Sequence, residues 1–540
     1  MRRNDGNGEP VALGRGQQLA LALGGVLGAG WVTGVPATAE LHKSNPSWYI
    51  VVLPWLVGLA VIGLVAAILV RLARTDPRSG GLAWWPQDRS GRVVGTVINA
   101  GLFTMYAGNP PAGALITVLA LDRTLGGMGW TEEMDGGWYA LTWPGALVAL
   151  IVLTALFLVH IVGGRVMLRM NLALSAVKAL LLLMLVGNAA IAQYLLLPKP
   201  LDGGGQQDAY PLAMVSVITA AGMMFAFTGF QGPVDNGDRS GKDHRGFAIY
   251  GALIIATLIY IGLQVVFSHG VAESWEEPVP GSTGFVVRAV ATVLSPMTNA
   301  LLFIYLAAIV LKTSADQSVL KLPRLNMNRS LQVLLVVYLF GVALLLVMTM
   351  LGNWPKVTDA KSVIFLFVYS YAAIAYRASW NAQALQYPEL DPRGGRLLAP
   401  ASFVVTTVIM FCTGFATMLW AYALVGVVAA VMFWSRFSET DHNRAEHFRR
   451  ARWLFGYVTV LLVLACCHFA VRYQVAEAPP GFVDVLLGSH DLRPFEDLLF
   501  IDGFATLVFA VVVAGAGLLF HRLGVREAES FIRFKNGSAG

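Results

Sequence analysis

Two glycine-rich breaks and two isolated charges are the residues of this chain whose types and positions can do chemistry. The first break is GGVLGAGWVTGVP, Gly24 to Pro36, inside an apolar run from Leu19 to Val35. Gly24, Gly25, Gly28, Gly30 and Gly34, then Pro36, are too many weak helix formers for a continuous helix. The second is FAFTGFQGPVDNGD, Phe225 to Asp238, where Gly229, Gly232 and Pro233 interrupt another apolar run. Broken backbone at membrane depth leaves amides and carbonyls without intrahelical partners, which is tolerated only where they line a cavity or meet a ligand. Half-helix amide ends attract a carboxylate, and freed carbonyls accept hydrogen bonds from an ammonium group or coordinate a cation. The pair of breaks therefore suits a zwitterion. Small residues for close helix packing are the plain alternative for the first break. A soluble dinucleotide loop is excluded, because no strand precedes GGVLGAG and no βαβ unit follows.

The charges are Lys178 and Arg377, the two ionisable residues well inside apolar runs. Insertion at such depth costs about 2.5 to 3.5 kcal/mol, so each is expected to have a use. Lys178 stands about two turns into its span, roughly 10 Å from the start at 1.5 Å per residue, and snorkelling to the interface competes with a function. Arg377, in YRASWN, is nearer a cytoplasmic end, where it either snorkels or closes a gate with Asp235, Asp238 or Asp316. All 32 carboxylates fall in loops or at span ends, which argues against a mid-membrane carboxylate relay and against strongly cationic substrates. Asn99 and Asn109 are the remaining polar candidates, in a span that Pro110 and Pro111 are expected to kink.

These residues need elements to hold them, and the composition says which. Across 540 residues, 56% are hydrophobic, 13% are charged and the mean hydropathy is +0.64, the profile of an integral membrane protein. Apolar runs place spans near 17–36, 49–72, 92–121, 143–163, 171–197, 212–234 and 247–269, then 289–312, 331–352, 362–386, 397–413, 416–435, 453–472 and 499–521. That is about 14 transmembrane helices. Lys and Arg gather in alternate loops, with Arg71, Arg74, Arg78, Arg89 and Arg92 around the first cytoplasmic one, so both termini are expected in the cytoplasm of a multi-pass cell-membrane protein. Topology and anionic lipid account for the net charge of +6, and no nucleic-acid partner is needed. A cleaved signal peptide ending at Ala37-Thr38-Ala39 would leave an odd number of spans, and the glycine-broken run does not fit one. Cys412, Cys466 and Cys467 lie in apolar runs and suggest neither a disulfide nor a metal. No cofactor is expected.

The breaks fall in spans 1 and 6, an odd number of spans apart, so the two broken helices run in opposite directions. That is the signature of an inverted-repeat secondary transporter with its substrate near the midplane.

The same residues resemble the amino acid–polyamine–organocation (APC) permeases. LGAGW, Leu27 to Trp31, resembles the family's first-span motif, and AFTGFQG, Ala226 to Gly232, its sixth-span motif. RTDPRSGGLAWWP, Arg74 to Pro86, is similar to the loop before span 3, and GGRVMLRMNLALSAVK, Gly163 to Lys178, to the loop into span 5. The resemblance covers residues 15 to 390. It implies an all-α, five-plus-five inverted-repeat (LeuT-like) core in which Gly28, Ala29 and Gly30 offer amides. Phe227, Thr228 and Gly229 would offer carbonyls, and Phe230 an aromatic gate beside the substrate. It also puts the Lys178 amine where related folds hold sodium, a position suited to carrying a proton. Ala300 to Leu311 in span 8 contains no Ser or Thr, which favours protons or exchange over sodium. Many relatives carry an acidic residue where this chain has Gln231, so Gln231 is a candidate coupling residue.

The expected organisation is a cytoplasmic tail at 1–16, a transport core over 17–386, spans 11 and 12 over 397–435, extra spans 13 and 14 over 453–521, and a second cytoplasmic tail at 522–540. The expected activity is alternating-access transport of amino acids, small or neutral, in a lipid bilayer, either proton-coupled or by exchange. A same-fold transporter of a nucleobase or amine, and a transport-dead sensor or partner subunit, are the competing readings. An enzyme would need a convergent acid, base or metal constellation, and none stands out.

Overall fold

The computed structural model describes residues 13–28, 30, 31, 35, 48–134, 138–191, 226–237, 243–268, 283–322, 325–352, 354–383, 392–435, 444–475 and 499–537. In chain order the helices are α1 (Arg15–Val26), α2 (Trp48–Thr75), α3 (Gly81–Ser90), α4 (Arg92–Ala107) and α5 (Asn109–Thr124), then a hairpin of β1 (Thr131–Met134) and β2 (Trp138–Leu141). There follow α6 (Trp143–Ile161), α7 (Gly164–Ile191), the one-turn α8 (Gly232–Asp235), α9 (Arg245–Ser268), α10 (Thr283–Asp316), α11 (Arg329–Leu351) and α12 (Trp354–Gln383). The chain continues through α13 (Pro392–Cys412), α14 (Phe415–Trp434), α15 (Arg444–Val475) and α16 (Leu499–Gly537).

Among the described residues 10 helices are long and apolar enough to cross a membrane. The expected third span is two helices, α4 and α5, joined at Gly108: Pro110 and Pro111 have no N–H to offer Tyr106 and Ala107, and the Gly108 amide turns back on Thr104 at 2.9 Å. The expected first span likewise stops after α1, where Leu27 leaves helical geometry with ψ near 58°. Gly414, at φ +90°, divides α13 from α14.

Burial sorts the helices. The membrane-crossing part of α12 is 94% buried and that of α10 72%, against 22% for α14 and α15, so α10 and α12 are central and the other two face lipid. α10 packs along α5, α7 and α4, α1 lies between α9 and α7, and α12 contacts α4, α13 and α16.

The short, largely buried α3 packs on α4 at one end of the bundle, where Gln87 donates to the Gln317 carbonyl at 2.8 Å and Gln317 donates to the Trp84 carbonyl at 3.1 Å. Its start is bound to the end of α8: the Gly80 amide donates to the Asp235 carbonyl at 2.7 Å, and Ser79 pairs with Asn236. The far part of α16 returns to the same end. Lys535 bonds Asp88, Glu529 accepts from Asn381, and Arg450 of α15 lies over the rings of Phe531 and Phe534.

Candidate functional site

The two interrupted segments meet back to back. A Cβ on Gly25 would collide with the Gly229 carbonyl, and one on Gly229 with the Gly25 backbone, so the chains touch where only hydrogen fits. Gly30 faces Ala226 in the same way. Gly229 has φ +98°, a left-handed conformation that glycine reaches without steric cost.

At the end of α1 several carbonyls lose their helical donors, and side chains from three other helices take their place. Lys178 of α7 donates from Nζ to the Gly24 carbonyl at 2.9 Å. Asn299 of α10 donates to Gly25 at 2.6 Å, and Tyr260 of α9 donates to Val26 at 2.6 Å and to Ala226 at 3.1 Å. Ser295 of α10 reaches the carbonyls of Leu27 and Gly28 at 3.0 and 2.9 Å and accepts from Trp31 Nε1 at 3.3 Å. This is the arrangement that buried backbone demands: each freed oxygen is met. One turn earlier, Asn171 and Ser175 donate to Ala20 at 3.3 and 3.2 Å.

On the facing segment, Gln231 folds back so that its Oε1 accepts from the Gly229 amide at 3.1 Å and from the Tyr369 hydroxyl at 2.7 Å. Phe227 is buried edge-on to Trp55 and Tyr260, and Phe230 lies 5.6 Å from the ring of Tyr369. Thr228 is buried between them. Below, Tyr106 donates to Asp235 Oδ2 at 2.5 Å, Tyr305 donates to Asn236 Oδ1 at 2.8 Å, and Asp235 is fully buried.

The structure brings Gly28, Gly30, Phe227, Thr228, Gly229, Phe230, Gln231 and Lys178 to this junction. The Gly28 amide is engaged by the Val26 carbonyl at 2.7 Å. Ala29 lies outside the described residues. Arg377 is not brought in; its guanidinium sits over Trp380, 4.8 Å from the ring centroid. Of the partners considered for it, Asp235 is held by Tyr106, Asp316 pairs with Arg329 at 2.7 Å, and Asp238 lies outside the described residues.

Several contributors escape a reading of the sequence. Ser295 and Asn299 stand in α10 just before the stretch Ala300 to Leu311 that lacks Ser and Thr, and they donate to the freed carbonyls of α1. Tyr260, Tyr106 and Tyr369 are tyrosines in apolar runs, indistinguishable there from packing residues. Asp235 and Lys361 stand one residue outside expected spans, and both are buried.

The amino acid permease family profile matches residues 13–480 of this chain. An aspartate-proton symporter of Bacillus subtilis (strain 168) is 22% identical over 498 residues, 87% of this chain and 93% of its own. The glutamate/serine transporter AimA of the same organism is 24% identical over 262 residues, 47% of each chain. Among solved structures, a mutant manganese transporter of Eremococcus coleocola aligns over 95% of both chains at 14% identity with a TM-score of 0.43.

Proposed function

The chain belongs to the amino acid permease family, and from that premise we propose a transporter that works by alternating access at its two helix breaks, is driven by protons, and uses Lys178 to carry them. The hydrogen bond from Lys178 Nζ to the Gly24 carbonyl carries this reading. An ammonium there joins α7 to the broken end of α1. Loss of its proton removes the positive charge and leaves only a weaker, neutral donor to a carbonyl that no helical amide satisfies, and so changes how favourably α1 packs on α7. A protonation event becomes a packing event, which is what coupling requires. The aspartate-proton symporter is similar over nearly its whole length, and its name pairs an amino acid with protons.

The substrate's α-carboxylate would meet the amides around Gly28 to Gly30, the Gly28 amide exchanging its bond to the Val26 carbonyl for it, and its ammonium group the carbonyls of Phe227 to Gly229, with Phe230 closing over it. Gln231 and Tyr369 hold the second segment in the shape this needs. Both termini are assigned to the cytoplasm. The basic residues of the first cytoplasmic loop support this, as does the return of Lys535 to Asp88 at the same end of the bundle.

Purified protein in liposomes, given a labelled amino acid mixture with and without an inward proton gradient, tests the reading. Accumulation above equilibrium that collapses with a protonophore is expected. Uptake only into vesicles preloaded with amino acids would replace proton coupling by exchange.

A further inference from the structure

Lys361 is a buried cation that the transport reading does not use. It is 1% exposed in the most buried membrane-crossing helix, α12. It stands near the start of the membrane-crossing segment Asp359–Ala382, and an ionisable side chain buried within a membrane span is retained for a purpose far more often than by accident. Its position points to one. Lys361, Phe365 and Tyr369 recur at four-residue intervals and so share one face of α12. The inner end of that stripe is at the substrate junction, since Tyr369 bonds Gln231 beside Gly229 and packs on Phe230. Phe365 links the two, 5.9 Å from the Tyr369 ring.

The facing helix fixes the height. Lys361 Cδ is 3.4 Å from where a Cβ of Gly108 would be, at the break between α4 and α5. Two residues before that break, Tyr106 reaches Asp235, four residues past Gln231. The lysine stem therefore enters the bundle within about a turn or two of the breaks.

We propose that Lys361 forms the subsite for the side-chain carboxylate of an acidic amino acid, and so sets the substrate class of the permease. The inference rests on the amino acid permease reading, and replaces the small or neutral substrate that the sequence suggests. A dicarboxylic amino acid brings one negative charge more than it brings positive charge, and a desolvated ammonium is the group that compensates it. Its amide counterpart, equal in size, lacks the charge and gains nothing from the ammonium.

The test is competition. Uptake of a labelled amino acid mixture into proteoliposomes is titrated with unlabelled aspartate or asparagine, for wild type, Lys361→Arg, Lys361→Gln and Lys361→Met. Wild type should favour aspartate by about tenfold or more, as sites built around a polar partner discriminate. Lys361→Arg should keep most of that preference. The ratio should fall to near one in Lys361→Gln or, where that variant does not fold, in Lys361→Met. An amine that merely capped the carbonyl left by Pro111 would, when removed, weaken both competitors in parallel. That result, or a wild-type ratio near one, overturns the proposal while the permease reading stands. If neither compound competes and no amino acid is taken up, the permease reading itself fails.

Discussion

Gly25 and Gly229 touch through their backbones, one from each interrupted helix, with no room for a methyl group on either. Gly25→Ala and Gly229→Ala are each expected to cost about 1 to 3 kcal/mol through overpacking, with Gly229→Ala adding the strain of a left-handed alanine. Thermal unfolding in detergent should register the loss, and uptake should fall with it. Gly187→Ala, where nothing lies within 4 Å, should leave the midpoint unchanged or slightly raised.

Lys178→Ala removes the donor to the Gly24 carbonyl. Uptake that rises with external acidity in the wild type should become independent of the pH gradient, while folding, read by size-exclusion profile, is retained. An unaltered gradient response in this variant would remove Lys178 from the coupling step.

Tyr106→Phe withdraws the hydroxyl that holds the buried Asp235, at the point where Gly80 and Ser79 close over the end of α8. Leaving a buried carboxyl short of a donor costs about 1 to 3 kcal/mol. A cysteine placed at Ser79 should therefore react faster with a thiol reagent supplied from that end of the bundle when Tyr106 is Phe. Equal rates would mean that the pair does not hold this closure.

Outside the membrane, Asp122 organises the β1–β2 hairpin by accepting from the amides of Met128, Trp130 and Thr131 and from the Thr131 hydroxyl. Burial alone would push its carboxyl up, but these hydrogen bonds outweigh burial and hold it below the usual carboxylate range. A depressed carboxylate stabilises at pH values above its unfolded value near ~3.9 and loses that contribution as pH falls through the lower folded value. Hydrogen exchange across 128–141 should accordingly be protected at neutral pH and loosen in acid below about pH 4. Asp122→Asn should loosen it at every pH.

The helix breaks are legible in the sequence because glycine and proline act locally: a run that cannot stay helical announces itself whatever surrounds it. Lys178 is legible for a similar reason, a charge where hydrocarbon is expected. How the freed carbonyls are met is not. Tyr260 reaches Val26 across 234 residues and Ser295 reaches Gly28 across 267, and nothing in the local composition of α9 or α10 foretells either. Hydropathy puts Lys361 and Asp235 in loops because a boundary drawn that way carries an error of a few residues, enough to move a buried charge into water. The family profile turns the balance away from a nucleobase carrier or a sensor, which composition and breaks leave open.

The bond between Lys535 and Asp88 joins residues 447 apart in the chain. At about 5 to 20 residues per second, the ribosome delivers the lysine roughly 20 to 90 s after the aspartate. For that interval α3 has its contacts with α4 but not with α16, and this end of the nascent permease lacks its last brace. The contacts of this end with α16 are therefore completed only once the last helix has been made.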